Sequence, residues 1–186
     1  MKKALLLHGW CGKSDNHWFP WLKRELEKKW YEVFVPDLPD SEHPVLDYQL
    51  NDISEIVHDF GIWDVIVGHS LGCQLALHAI HYHELHKIQA IFVGPSYPGT
   101  TEALGEDFIG EAYDYLVSYN NVPLEFAELD NSYVICLSDD DEFIELEEAE
   151  WYYCMLEDVE YLEYEDKWHF NKKSNVFELP DILDYV

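Results

Sequence analysis

Short, continuous apolar segments alternate with longer amphipathic segments along this chain of 186 residues. A continuous apolar run of roughly four to eight residues is typical of a strand that helices cover on both faces. The alternation therefore predicts the order βαβαβαβ(α)βαβα, an α/β fold with a mainly parallel sheet. The predicted strands are Lys3–His8, Tyr31–Pro36, Asp64–Gly68, Ile88–Val93, Ser132–Leu137 and Val159–Tyr164.

The amphipathic segments between these runs predict helices on both faces of the sheet. We expect one domain over residues 1–186, with six strands in the order 2-1-3-4-5-6. Residues 95–131 contain several glycines and prolines, and we interpret them as a short excursion over one edge of the sheet. The predicted helices are His17–Lys29, Val45–Phe60, Ser70–His83, a stretch within Thr101–Ser118, Glu142–Leu156 and a C-terminal piece from about Asn175 to Tyr185.

The composition is strongly acidic, with 38 Asp and Glu residues against 11 Lys and Arg residues and a net charge of −27. A surface this acidic repels phosphate backbones and anionic lipid headgroups, so we exclude nucleic acids and membranes as main partners. Residues 101–186 carry most of the charge, with 25 acids and 3 bases. This charge either forms a solubilising surface or selects ligands by their charge.

Four cysteines, Cys11, Cys73, Cys136 and Cys154, occur without a Cys-x-x-Cys motif. Cys73 and Cys136 lie in apolar segments, where a thiol usually packs as a small hydrophobic side chain. The pattern favours a reduced, cytoplasmic protein. The first apolar run ends at His8 and is too short for a signal peptide, and no run approaches the ~20 apolar residues of a membrane span.

The segment Gly68-His69-Ser70-Leu71-Gly72 lies between a predicted strand and a predicted helix. Strand, Gly-x-Ser-x-Gly and helix in this order form a nucleophile elbow, a strained turn that raises the serine hydroxyl above the sheet. Side chains two residues before and after the serine would collide, and the helix start favours a developing oxyanion. The context predicts Ser70 as a nucleophile, although the same pentapeptide also occurs by chance in loops.

A second motif, Leu7-His8-Gly9-Trp10, follows the first predicted strand. An oxyanion hole needs two backbone N–H groups that converge on one point, and we assign these to Trp10 and Leu71. His8 is interpreted as a structural histidine that hydrogen-bonds the loop. It precedes the serine, whereas enzymes with this elbow place their catalytic residues in the order Ser, Asp, His.

Three consecutive aspartates, Asp139, Asp140 and Asp141, follow the predicted strand Ser132–Leu137. An acid at the carboxyl end of a strand after the nucleophile can orient a catalytic histidine and stabilise its imidazolium form. The alternative interpretation is an acidic helix N-terminus, where carboxylates interact favourably with the helix dipole. From the residues alone, the choice among the three aspartates stays open.

Of the ten histidines, only His169 lies downstream of both Ser70 and the aspartates. It follows Asp141 by 28 residues, which leaves room for one helix and one strand before the chain returns to the same sheet edge. Chain order and elimination therefore both indicate His169 as the general base.

Taken together, these motifs resemble the small serine hydrolases of the retinoblastoma-binding protein 9 family, an α/β-hydrolase branch that includes YdeN-like serine hydrolases. The resemblance covers nearly the whole chain and implies a three-layer α/β/α hydrolase-type fold without a large lid domain. It rests on Leu7-His8-Gly9-Trp10, His17-Trp18-Phe19-Pro20-Trp21-Leu22, Val35-Pro36-Asp37-Leu38-Pro39, Gly68-His69-Ser70-Leu71-Gly72-Cys73, the aspartate cluster, Trp168-His169-Phe170 and Glu178-Leu179-Pro180.

The resemblance also implies a Ser70–Asp141–His169 triad. In the family an aliphatic residue follows the triad aspartate by three positions, which Asp141 with Ile144 satisfies, and Asp140 is the alternative. Trp168 replaces the usual glycine before the histidine, so its bulk narrows the acyl pocket or forms a wall of it. The motif Leu-x-Cys-x-Glu is missing around all four cysteines. A retinoblastoma-type partner is therefore not supported, and any protein partner stays unknown.

The sequence thus predicts a carboxylesterase-like serine hydrolase that cleaves a small ester-type acyl substrate and needs no metal or organic cofactor. One alternative is a non-catalytic hydrolase-fold interaction module, since a fold does not fix a function. Another is an amidase or thioesterase with the same triad. We expect the pocket to draw on Trp10, Trp168, Phe170 and residues 95–119.

Overall fold

The computed structural model describes residues 1–120, 130–144 and 150–186 of the protein. Within these ranges the strands form one sheet in which every neighbouring pair is parallel. They are β1 (Lys2–Leu7), β2 (Tyr31–Phe34), β3 (Val65–His69), β4 (Gln89–Val93), β5 (Ser132–Ser138) and β6 (Val159–Tyr164). Their order across the sheet is β2-β1-β3-β4-β5-β6, which confirms the predicted topology.

Helices connect the strands on both faces of this sheet. The α-helices are α1 (Phe19–Lys28), α2 (Leu46–Phe60), α3 (Leu71–Tyr82), α4 (Thr100–Leu104), α5 (Glu106–Ile109), α6 (Tyr113–Leu116) and α7 (Glu150–Met155). Short 3-10 segments cover Gly110–Ala112, Val117–Asn120, Lys172–Ser174 and Pro180–Tyr185. In the described part of the chain, no helix has the length and apolar character needed to cross a membrane.

The continuous apolar strands are buried on both faces, as predicted. Adjacent residues of β1 point to opposite sides of the sheet because side chains alternate along a strand. Leu5 packs in the core that α2 and α3 cover, with Ile53 of α2, whereas Leu6 packs in the core that α1 covers, with Leu22. Both leucines are fully buried, so neither face of the sheet is exposed at this position.

Three predicted helices differ from the observed ones. The stretch within Thr101–Ser118 is divided into short helices, because Gly105 and Gly110 adopt positive φ angles of 76° and 59° that end a right-handed helix. In the predicted helix Glu142–Leu156, residues 142–144 form bends, residues 145–149 lie outside the described ranges, and α7 covers only Glu150–Met155. The C-terminal piece is a 3-10 helix that begins at Pro180.

The register of the sheet places the loops after β1, β3, β4, β5 and β6 side by side at its carboxyl edge. Leu7 of β1 pairs with Gly68 of β3, so the loops that follow these two strands are neighbours. The end of β3 pairs with β4, where Ser70 N–H donates to the carbonyl of Val93 at 3.0 Å. The edge ends at Ser138 of β5, which pairs with the last residue of β6. Every predicted site residue follows one of these strand ends.

Candidate active site

Ser70 occupies the sharp turn between β3 and α3, with φ 54° and ψ −123°. A non-glycine residue in this region is strained, as a nucleophile elbow requires. A methyl group added at Gly68 would lie 2.7 Å from the Cα of Cys73, and one at Gly72 would overlap the carbonyl oxygen of Leu7. The two glycines therefore allow the backbone on either side of Ser70 to approach Cys73 and Leu7 closely, as the motif predicted.

The loop after β1 lies directly against this turn. A methyl group at Gly9 would lie 2.8 Å from Ser70 Cβ and 3.3 Å from Leu71 N. Within the described residues, the backbone N–H groups of Trp10 and Leu71 donate to no protein acceptor. Both residues border the same cavity as Ser70. The two N–H groups assigned from the sequence are thus available beside the serine.

The His169 ring is oriented by Asp141. Its Nδ1–H donates to Asp141 Oδ2 at 2.8 Å, and both side chains are nearly inaccessible to solvent. The second carboxylate oxygen accepts the backbone N–H groups of Phe143 at 2.9 Å and Ile144 at 3.2 Å. Because the carboxylate only accepts, the proton of the neutral ring lies on Nδ1 and Nε2 is left as the basic atom.

The two preceding aspartates bind the backbone of the loop that carries the histidine. Asp140 Oδ1 accepts the N–H of Trp168 at 2.6 Å, and Asp139 Oδ1 accepts the N–H of Asp166 at 3.1 Å. The hydrogen bond from Ser138 lowers the pKa of Asp140. None of residues 139–144 is helical: 139 and 140 form a turn and 142–144 form bends, so the acidic helix N-terminus considered as an alternative is wrong for these residues. Of the aspartates, only Asp141 reaches the ring of His169.

His8 has the structural role that the sequence predicted. The Leu38 N–H donates to His8 Nε2 at 3.0 Å, so the ring proton lies on Nδ1, which donates to the carbonyl of Gly9 at 3.0 Å. Burial lowers the pKa of His8 and keeps the ring neutral. The side chain thereby joins the loop after β1 to the segment after β2.

A cavity of about 200 Å³ opens beside Ser70 and His169. Within the described residues no hydrogen bond joins their side chains, and in enzymes without substrate such bonds are often long or poorly aligned. The walls of this cavity also include His17, His69, Gln74, Ser96, Thr100, Thr101, Leu104, Leu116, Phe143 and Ile144.

The aromatic residues that line the cavity differ from the expected ones. Trp10 borders the cavity, whereas Phe170 is fully buried in the core and Trp168 borders a separate surface depression. The Trp168 ring instead contacts Phe143 and lies below the Lys173 ammonium, 4.4 Å from the ring centroid. Phe143 packs on His169 with ring centroids 4.9 Å apart, so it provides the wall expected from Trp168.

Gly94 is a site residue that the sequence reasoning missed. It follows β4 directly, with φ 51°, and lies beneath the pair of His169 and Asp141. A methyl group there would lie 3.3 Å from His169 Nδ1 and 3.4 Å from Asp141 Oδ2. A glycine directly after a strand at the active edge is the signal in the sequence that could have identified it.

Two further histidines border the cavity and are neutral. Burial, with smaller contributions from His169, Lys172 and His8, lowers the pKa of His17 to about 4. Burial lowers the pKa of His69 to well below its usual value, with His169 and His17 acting in the same direction. His69 lies in the elbow motif itself, yet the sequence reasoning gave it no role. These rings therefore act as uncharged hydrogen-bonding groups.

The positive charges of residues 101–186 are concentrated near the histidine. Lys167, Lys172 and Lys173 are the bases of this part of the sequence, and each lies within four residues of His169. The strongly acidic part of the chain thus carries its cations on the loop that borders the cavity beside Ser70.

Comparison with known proteins agrees with this arrangement. The chain is similar to YdeN of Bacillus subtilis (strain 168), described as a hydrolase, with 33% identity over 86 residues; the aligned segment spans 46% of this chain and 45% of YdeN. The crystal structure of the B. subtilis ydeN gene product superposes with a TM-score of 0.82 at 22% identity, over 99% of this chain and 96% of that one.

Two more distant structures share the fold. Est1E from Butyrivibrio proteoclasticus, solved with ferulic acid bound, gives a TM-score of 0.76 at 14% identity, covering 100% of this chain and 89% of that one. A thermophilic esterase from Thermogutta terrifontis, with malate bound, gives 0.66 at 13% identity with the same coverage. Identities this low establish the fold alone. The serine hydrolase family profile, however, matches residues 4–186, and the chain therefore belongs to the serine hydrolase family.

Proposed function

We propose that this protein is a carboxylesterase-like hydrolase that cleaves a small ester through Ser70, His169 and Asp141. Ser70 Oγ attacks the ester carbonyl while His169 Nε2 takes the hydroxyl proton. His169 then gives that proton to the leaving alcohol, and an acyl-enzyme remains. His169 then takes a proton from water, which attacks the acyl-enzyme carbonyl; the bond to Ser70 Oγ breaks, His169 returns the proton to Oγ, and the acid product leaves as its carboxylate. The N–H groups of Trp10 and Leu71 stabilise the oxyanion in both steps.

The observation that carries this proposal is the pairing of His169 Nδ1 with Asp141 at 2.8 Å. This pairing leaves the basic Nε2 of a nearly buried ring beside the cavity that Ser70 borders. A strained Ser70 with φ 54° supports the same role, because such strain persists mainly at functional sites.

An ester is favoured over an amide or thioester by the comparisons. The T. terrifontis protein is an esterase, and it shares the fold of this chain. The cavity of about 200 Å³ supports a small acyl group, since pockets for drug-sized ligands typically have about 300–1,000 Å³. The same residues could also cleave amides or thioesters, so the choice of an ester, with an alcohol as the leaving group, is itself part of the proposal.

A non-catalytic binding module is the competing function. A binding module would not require a strained serine, the backbone N–H groups of Trp10 and Leu71 and an oriented histidine around one cavity. Their combination supports catalysis, although a fold by itself fixes no activity. The retinoblastoma-binding protein 9 branch, the cytoplasmic location and the exclusion of nucleic acids and membranes as main partners stay predictions, and any protein partner is unknown.

Labelling with a fluorophosphonate probe tests the proposed nucleophile. We expect the wild-type protein to take the label and Ser70→Ala to remain unlabelled with its fold intact. A panel of neutral esters with increasing acyl length then defines the substrate, with Ser70→Ala as the background control. An unlabelled wild type, or equal labelling of the variant, would overturn the proposal.

A further inference from the structure

The loop that carries His169 has an unusually strained backbone. Asp166, Trp168 and Phe170 have φ angles of 56°, 46° and 49°, and none of them is glycine. Each such residue costs on the order of 1–3 kcal/mol and persists only where the surroundings fix it. The conformation of this loop therefore depends on contacts from other parts of the fold.

Three ring nitrogens from the first half of the chain bind backbone groups of this loop. His69 Nε2–H donates to the carbonyl of His169 at 2.9 Å. Trp18 Nε1–H donates to the carbonyl of Phe170 at 3.1 Å. The N–H of Lys172 donates to His17 Nδ1 at 3.0 Å. We call His17, Trp18 and His69 the ring clamp.

The ring clamp is itself held by packing. The His69 ring meets His17 and Trp18 edge-on, with centroids 5.6 Å and 5.9 Å apart, and Trp18 stacks on Phe19 at 4.4 Å. Trp18 is fully buried and His69 is 4% exposed. Loss of either donor would leave a buried carbonyl of the loop unpaired, which is costly.

The clamp also joins the two halves of the catalytic machinery. His69 directly precedes Ser70, so one residue borders the nucleophile and holds the backbone of the general base. The neutral state of His69 and His17 fits this role, since His17 must accept through Nδ1. The hydrogen bonds of the clamp go to the loop backbone, and the His69 ring also contacts the His169 ring with centroids 5.1 Å apart, so the clamp acts on the position of that ring.

We propose that His17, Trp18 and His69 are positioning residues that set the His169 ring over Ser70 for hydrolysis. This inference rests on the proposed function. A misplacement of a catalytic group by about 1 Å can lower the rate by roughly 100-fold, so the clamp acts on kcat. His17 and His69 also border the cavity, but the ring nitrogens that form the clamp are bonded to the loop backbone, so we expect kcat to change more than KM.

A matched pair of variants at one position tests the clamp. His69→Gln retains an N–H donor with a similar reach, whereas His69→Met fills a similar volume without a donor. With p-nitrophenyl acetate, we expect His69→Met to lower kcat by roughly 10- to 100-fold, with a smaller change in KM. His69→Gln should restore most of that loss. Rates are normalised to the folded fraction from near-ultraviolet circular dichroism.

Trp18→Phe provides a second test, because it keeps a buried aromatic ring and removes only the indole donor. We expect a fall in kcat without a change in KM, and faster amide exchange in residues 166–172. Equal kcat losses in His69→Gln and His69→Met, or an unchanged kcat in Trp18→Phe, would overturn the positioning role while wild-type hydrolysis still supports the proposed function. An inactive, unlabelled wild type would overturn both.

Discussion

The Nδ1–H of His169 donates to Asp141 Oδ2 at 2.8 Å, whereas the carboxylate next to it in sequence, that of Asp140, accepts the N–H of Trp168 at 2.6 Å. Adjacent acids thus have separate roles, one on the ring and one on the backbone. We expect Asp141→Asn to lower kcat by roughly 10⁴-fold, because an amide favours the wrong tautomer of the ring. Steady-state hydrolysis of a neutral ester measures this effect.

Asp140→Asn is the matched control for that substitution. The amide oxygen can still accept the N–H of Trp168, so we expect kcat to fall by less than about 10-fold. If Asp140→Asn were the more damaging of the two, the assignment of Asp141 as the orienting acid would be wrong.

Gly94 permits the close packing of the His169–Asp141 pair. Gly94→Ala would force a Cβ at φ 51° to within 3.3 Å of His169 Nδ1, so we expect a displaced ring and a kcat at least about 10-fold lower. Gly61→Ala shares the positive φ, at 75°, but its Cβ would meet no atom within 4 Å. Both variants should lose about 1–3 kcal/mol of stability in urea denaturation, and only Gly94→Ala should lose activity. Equal kcat values for the two variants would show that crowding at Gly94 does not affect catalysis.

Acid should destabilise the fold through His17. The folded pKa is about 4, below the ordinary value of 6.5, because burial, His169, Lys172 and His8 all disfavour the charged ring. The contribution of the neutral His17 ring to the free energy of unfolding is fully present above pH 6.5 and is lost as pH falls toward 4. The loss is at most about 1.4 kcal/mol per pH unit for one proton. Protonated Nδ1 cannot accept the N–H of Lys172.

His17→Asn isolates this contribution. Its amide oxygen can accept the same N–H, asparagine tolerates the positive φ at this position, and it does not titrate. Urea midpoints measured from pH 7 to pH 4 should therefore decline less steeply for His17→Asn than for the wild type. Parallel declines would assign the acid sensitivity to other groups, such as His78, whose pKa burial lowers to about 4.

The charge of the protein should influence substrate choice only at low salt. The net charge of −27 disfavours an anionic ester, but Lys167, Lys172 and Lys173 oppose that field close to His169. Salt screens charges beyond about 8 Å at physiological strength. At 10 mM salt we expect a neutral ester to have a several-fold higher kcat/KM than an anionic ester. At 150 mM salt the two esters should have nearly equal kcat/KM. Equal kcat/KM values for the neutral and the anionic ester at 10 mM salt would show that the net charge does not influence substrate choice.

The site could be predicted in part because its groups lie at marked points of the sequence. Ser70 has a steric signature in its two glycines, and chain order selects His169. The choice of Asp141 over Asp140 could not be made from spacing alone, since adjacent residues both follow β5. It depends on which carboxylate points toward the ring, and that depends on the bends at residues 142–144. Likewise, Trp168 was expected at the cavity, but its ring packs against Phe143 and below the Lys173 ammonium.

By itself, the sequence determined the parallel sheet, its strand order and the edge at which catalysis is expected. These follow from local patterns: buried apolar strands, amphipathic connections and an elbow whose glycines are sterically required. The tertiary structure alone decided how the groups are oriented. His69, Trp18 and His17 meet the His169 loop from positions 100 to 155 residues away in sequence. Contacts at that separation depend on the packing of side chains across elements, and no local pattern in the chain encodes them.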